Sequence, residues 1–112
     1  INYLNKKLKI LHCVASYPPN DLELNLNVIK DFSKRYSFGI GYSDHSIGIE
    51  AAVIAVSIGA KIIEKHFTLD NDFSSFHDHK VSLNPKDMKL MVNKIRNAEI
   101  MLGKGNKKIQ KN

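Results

Sequence analysis

The sequence predicts an α/β fold, a parallel βαβαβα segment that forms part of a larger α/β barrel. Three observations carry that expectation. Three short apolar stretches, Leu8–Ser16 (LKILHCVAS), Phe38–Ser43 (FGIGYS) and Lys61–Leu69 (KIIEKHFTL), run from apolar residues toward polar ones at their ends. Buried parallel strands read this way when their C-terminal tips leave the core and enter a site. Their starts lie roughly 25–30 residues apart, the repeat of a βαβ unit, and right-handed crossovers make such strands parallel. Helical periodicity fills the intervals. Three strands do not close a sheet, and neither edge carries a visible blocker, so further barrel strands are expected to pair with them.

Each element has a local reason. Ile1–Lys9 reads as the end of a helical turn followed by a loop. The first strand stops at Tyr17-Pro18-Pro19, because proline cannot donate to a ladder. Along it Cys13, Ala15 and Tyr17 share one face, and His12 faces the other way as a packing or hydrogen-bonding residue. Asn20 or Asp21 caps the next helix, Glu23 sits in its first turn, and Leu22, Leu26, Ile29, Phe32 and Tyr36 follow amphipathic spacing. In the second strand Gly39, Gly41, Ser43 and His45 fall on one face, where the glycines leave room for a close approach. Ser46 is expected to cap a buried helix over Gly48–Ile58, which Gly59 ends. In the third strand Glu64, His66 and Thr68 share a face, while Ile63, Lys65 and Phe67 share the other. Asp70–Val81 (DNDFSSFHDHKV) reads as an irregular polar and aromatic loop. Asn84-Pro85-Lys86-Asp87 supplies a cap, a first-turn proline and an acid. The last helix then runs to about Leu102 on a stripe of Met88, Met91, Val92, Ile95 and Leu102, with Gly103 as its stop. One domain over 1–103 and a basic linker over 104–112 follow.

Composition narrows the function classes. A chain of 112 residues, 43% hydrophobic and 25% charged, suits one small soluble domain. The net charge of +6 suggests nucleic acid until its distribution is considered. Seven of the 17 basic residues lie at the ends (Lys6, Lys7, Lys9, Lys104, Lys107, Lys108 and Lys111), and the ten between them face all 11 acids. Nucleic-acid modules concentrate basic groups on a folded face, so no nucleic-acid partner is expected. The single cysteine, Cys13, cannot form an internal disulfide; it reads as a buried spectator and suits a reducing, cytoplasmic setting. Ile1–Ile10 shows no cleavable signal, and the apolar run Ala51–Ala60 is half of a membrane span, so no membrane partner is expected.

Polar residues gather where each strand becomes a loop: Tyr17; Ser43, Asp44 and His45; Glu64 and His66. In α/β barrels this C-terminal rim carries the chemistry. His45 and His66 occupy equivalent places on consecutive units, and two imidazoles meeting on one rim suit a divalent transition metal, with Glu64 as a further ligand or base. The bland alternative is a core histidine held by a neighbouring acid. Asp44 and Lys65 alternate outward and read as a structural ion pair. His77-Asp78-His79 reads as a loop that grips a polar ligand or faces water.

These residues together resemble the N-acetylneuraminate (sialic acid) synthase family. The matching stretches are Leu11-His12-Cys13 with Tyr17-Pro18, then Gly41-Tyr42-Ser43-Asp44-His45-Ser46 with Gly48-Ile49-Glu50. They continue through Gly59-Ala60 and Ile63-Glu64-Lys65-His66-Phe67-Thr68-Leu69-Asp70 to Asp78-His79-Lys80, Ser82-Leu83 and Pro85. The paired GYSDHS and IEKHFTLD segments are the specific part.

The resemblance implies the last three βα units of a TIM (β/α)8 barrel. The implied enzyme condenses phosphoenolpyruvate with an N-acetylated amino-sugar aldehyde, such as an N-acetylmannosamine-like sugar, and releases phosphate. It implies His45 and His66 as ligands of a divalent metal, manganese first with magnesium or cobalt as alternatives. It further implies Glu64 as the acid beside the metal, Tyr17 and Ser43 as contacts to phosphoenolpyruvate, and Asp78 as a holder of sugar hydroxyls. The full-length enzyme is expected to be a cytoplasmic homo-oligomer, a dimer, and the isolated chain to be inactive. Ala15 stands where well-known members carry Asn, and Phe73–His77 lacks the usual Pro-Gly stretch. Two rival readings stand beside this one: another metal-dependent barrel that condenses phosphoenolpyruvate with a sugar phosphate, and a catalytically silent fragment or binding module.

Overall fold

A computed structural model describes residues 8–107 and Ile109. The expected turn and loop at Ile1–Lys7 and the tail at 108 and 110–112 lie outside the described residues. Three strands form one sheet: β1 (Lys9–Cys13), β2 (Gly39–Asp44) and β3 (Ile62–Lys65), parallel and in the order β1-β2-β3. A 3₁₀ turn (Asp21–Glu23) and α1 (Val28–Arg35) join β1 to β2, and α2 (Glu50–Ser57) joins β2 to β3. A short α3 (His77–Val81) and a long α4 (Pro85–Leu102) follow.

Among the described residues both core clusters lie on one side of the sheet. Ile40 and Tyr42 of β2 meet Ile29 of α1 and Ala51 and Ala55 of α2 in a first core cluster. Met91 and Ile95 of α4 meet Ala52 of α2 and Leu83 in a second, with Ile63 of β3 packed against both. Alternation sends Leu11, Cys13, Gly41, Ser43, Ile62 and Glu64 to the opposite face. There Cys13 and Glu64 are exposed, so the expected burial of Cys13 is corrected.

Register follows from one close approach. Gly41 pairs with Leu11 on one side and Ile62 on the other. A Cβ at Gly41 would stand 2.6 Å from the Ile62 carbonyl oxygen and 3.2 Å from the Leu11 side chain. The same register pairs Cys13 with Ser43, Ser43 with Glu64, and Asp44 with Lys65.

Several expectations at the element ends are corrected. The helix expected from Asn20 to Tyr36 is two pieces. Asn20 and Glu23 close the 3₁₀ turn through Asn20 N–H to Glu23 Oε2 at 3.0 Å, and Asn25 then takes a positive φ of 40°, which breaks the helical path. Leu22 is consequently exposed and Leu24 buried. Ser46 does not cap α2; its N–H and Oγ both bond Asp44 Oδ1, and the helix starts four residues later at Glu50. The third strand stops at Lys65, with Phe67 bridging separately to Leu83. The presumed loop 70–81 ends in helix α3. In α4 the Asn84 side chain accepts from Asp87 N–H at 3.0 Å as expected, but the buried positions are Met91, Ile95 and Ala98, while Val92 and Leu102 are exposed. The apolar stripe therefore misses the buried face at Ala98.

Gly41→Val in the intact protein is expected to lower stability by about 1–3 kcal/mol, because the obstacle is backbone rather than a movable side chain. The shift in denaturation midpoint at constant m-value measures it; an unchanged midpoint would show that the strands can separate without cost.

Candidate active site

The C-terminal ends of the three strands bring Tyr17, Ser43, His45, Glu64, His66 and Asp78 together. Ser43 and Glu64 are register partners on the open face, and Ser43 Oγ donates to Glu64 Oε1 at 2.7 Å. One step beyond the ladder, the rings of His45 and His66 stand 5.2 Å apart and nearly perpendicular. Tyr17 stacks on His45 at 4.1 Å and meets His66 edge-on at 5.7 Å and His77 at 5.3 Å. Asp78, on α3, lies 3.8 Å from His66 Nδ1 and 3.1 Å from His77 Nε2.

Hydrogen bonding decides what the histidines offer. His45 Nδ1 lies 3.0 Å from the Val14 carbonyl oxygen. A carbonyl only accepts, so Nδ1 carries the proton and Nε2 of the neutral ring presents a lone pair. Asp78 stands on the Nδ1 side of His66 in the same sense. A carbonyl or carboxylate behind the ring is the usual support of a metal-ligating histidine. The donor set therefore fits a divalent transition metal in part. Two imidazole nitrogens are available, and no group of three His, Cys, Asp or Glu side chains converges among the described residues. The further ligands of such an ion would be water, substrate or residues beyond this chain.

Other neighbours were harder to foresee. His77 joins the site through Tyr17 and Asp78, whereas His79 turns away to Thr68 Oγ1 at 2.9 Å, which splits the His77-Asp78-His79 run. Cys13 Sγ lies 3.8 Å from His45 Nδ1; alternation with Tyr17 was the only sequence signal for it. The Val14 carbonyl had none, because backbone atoms carry no residue-type signature. His12 does face away, bonding the Leu24 carbonyl at 2.7 Å and stacking on Tyr42.

Behind the rim lies a charged pair. Lys65 Nζ is 3.1 Å from Asp44 Oδ2, and their side chains are 1% and 0% exposed. Burial pushes the Lys65 ammonium below the usual lysine range, while Asp44 pulls it back up. Burial, then Asp44, holds the Tyr42 hydroxyl well above the usual tyrosine range, so it stays protonated and donates to Asp44 Oδ1 at 3.3 Å.

A model of the NeuB family matches residues 1–107. The chain belongs to the NeuB family. The N,N'-diacetyllegionaminic acid synthase of Legionella pneumophila is 41% identical over 107 residues, 96% of this NeuB-family chain and 30% of that protein. An uncharacterized protein of Methanocaldococcus jannaschii is 48% identical over 98 residues, 88% of this chain and 29% of that one. The sialic acid synthetase of Leptospira borgpetersenii, solved in complex with citrate, superposes with a TM-score of 0.84 at 42% identity, over 91% of this chain and 35% of that chain. The resemblance drawn from the GYSDHS and IEKHFTLD segments is borne out. The chain spans 29–30% of the length of these two curated relatives.

At a pH where its imidazole is neutral, His45 is expected to show the Nδ1–H tautomer by ¹⁵N NMR of the intact protein. An Nε2–H signature would mean that the Val14 carbonyl does not orient the ring.

Proposed function

We propose that this chain supplies one side of the active site of a nonulosonic acid synthase, as the last three βα units of its TIM barrel. The reaction condenses phosphoenolpyruvate with an N-acetylated amino-sugar aldehyde and releases phosphate. The observation that carries this reading is the Ser43–Glu64 hydrogen bond set beside two imidazoles on one open rim. The sequential parallel order with helices on a single face is the winding of a barrel and supports the same reading.

His45 and His66 would hold a divalent cation, manganese with magnesium or cobalt as alternatives. When bound, it supplies Lewis acidity toward the aldehyde oxygen. C3 of phosphoenolpyruvate forms the new bond to the aldehyde carbon, whose oxygen gains a proton and becomes a hydroxyl. Water adds at C2 as that carbon gains cationic character. Glu64 takes the proton of this water: Ser43 occupies Oε1, which leaves Oε2 free to accept. The C2–O bond to phosphate then breaks, C2 becomes the keto carbon, and phosphate leaves.

Ser43 has one hydroxyl proton, and it is directed to Glu64, so Ser43 orients the base as well as lining the phosphoenolpyruvate side. Tyr17, stacked over His45, walls the same pocket, and Asp78 faces the sugar's hydroxyls from α3. The sugar in this reading is of the sialic or legionaminic kind, by the names of the relatives. The full-length enzyme is proposed to work as a dimer in the cytoplasm; no described helix is long and apolar enough to cross a membrane.

Two measurements on the intact enzyme test this. His45→Ala and His66→Ala should each weaken manganese binding at least about tenfold by calorimetry, as expected for lost ligands. Unchanged affinity in both would remove the metal from the reading. Glu64→Gln keeps the shape but not the base, so phosphate release at saturating metal should fall about 10²–10⁴-fold with metal affinity little altered. A near-normal turnover number would make Glu64 structural.

A further inference from the structure

The paired strands stop one residue short of the histidines. β2 ends at Asp44 and β3 at Lys65, and Asp44–Lys65 is the last pair of the ladder. His45 and His66 follow immediately, one residue beyond the last register pair. Buried polar groups on the other side of the sheet tie the two strand ends together. Asp44 Oδ1 accepts the Ser46 N–H at 2.8 Å and the Ser46 hydroxyl at 2.7 Å. Lys65 Nζ donates to Asp44 Oδ2 at 3.1 Å and also to the Ser46 carbonyl oxygen. The peptide groups just after His45 are thus gripped on both their N–H and C=O sides, and one grip comes from the residue preceding His66. Neither charged side chain meets water, so solvent does not compete for these bonds.

We propose that Asp44, Lys65 and Ser46 form a cross-strand latch that positions His45 against His66, so that both imidazoles meet one cation. The proposal rests on the metal reading above and adds residues that never touch the ion. The latch acts through the backbone: alternation places its side chains on the helix-covered face and the imidazoles on the open one. An isolated buried ion pair would add little beyond cohesion. Here one pair also clamps the chain segment that bears a ligand, and residues supporting metal ligands typically matter about 10–100-fold in affinity.

The test measures manganese affinity by calorimetry, on metal-free intact protein, well below each variant's melting temperature. Lys65→Met should lower the melting temperature, because Asp44 is left buried without its partner, and should weaken manganese binding about 10–100-fold. The double variant Asp44→Asn/Lys65→Met removes both charges. Its melting temperature should recover in part, while affinity stays low because the Ser46 carbonyl has lost the Lys65 grip. Ser46→Ala, the mildest change, should weaken affinity several-fold in a folded protein. Affinity that recovers with the melting temperature in the double variant would overturn the latch and leave a merely structural pair. Wild-type affinity in both Ser46→Ala and the double variant would do the same. His45→Ala and His66→Ala, run alongside, separate the two ideas: wild-type affinity in both overturns the metal reading itself, whereas lost affinity there with intact binding in the latch variants overturns the latch alone.

Discussion

The pairing of β2 with β3 is the constraint on which the rest of the structure depends. Parallel strands have no turn to set their register, so side-chain packing must do it. Gly41 does so by admitting the Ile62 backbone where a side chain would not fit. A slip of β3 by one residue would exchange its faces, turning Ile63 to the open side and Glu64 toward the helices. The packing of Ile63 against both core clusters makes that exchange costly. One close approach near the start of the paired region therefore decides which carboxylate and which imidazoles meet at its end.

The two faces of the sheet then carry opposite electrostatic regimes. On the helix face Asp44 and Lys65 are sealed away, and every buried side-chain nitrogen and oxygen among the described residues has a partner. Low dielectric makes such groups stiff, because any movement breaks a bond that water cannot replace. On the open face Glu64 is exposed and His66 and Asp78 are about one-third exposed at their side chains, while His45 lies buried beneath Tyr17. The sealed face thus holds the strand ends in place, and the exposed face carries the polar groups of the candidate site.

Much of this was legible in the sequence. Alternation along IIEKH and GIGYSDH placed Glu64 with His66 and Ser43 with His45, because a period of two needs only a strand to act on. It also assigned Asp44 and Lys65 to each other on the outward face. The interval between strand starts implied parallel pairing. What failed was local: Ser46 looked like a helix cap, yet its hydroxyl and N–H satisfy Asp44 instead. Leu22 kept the helical spacing but lost its helix to the turn at Asn25.

Residue types and their periods were enough to determine the α/β class, the parallel order and the set of polar residues at the strand ends, and the resemblance of the GYSDHS and IEKHFTLD segments gave the family. These depend on spacing along the chain, which the sequence carries directly. The tertiary structure alone decided that Ser43 points its proton at Glu64, that the Val14 carbonyl sets the tautomer of His45, that His77 faces the site while His79 turns from it, and that Lys65 grips the Ser46 carbonyl. Each of those depends on a backbone atom or on a rotamer fixed by contacts from another strand or helix, and neither has a signature in the order of residues.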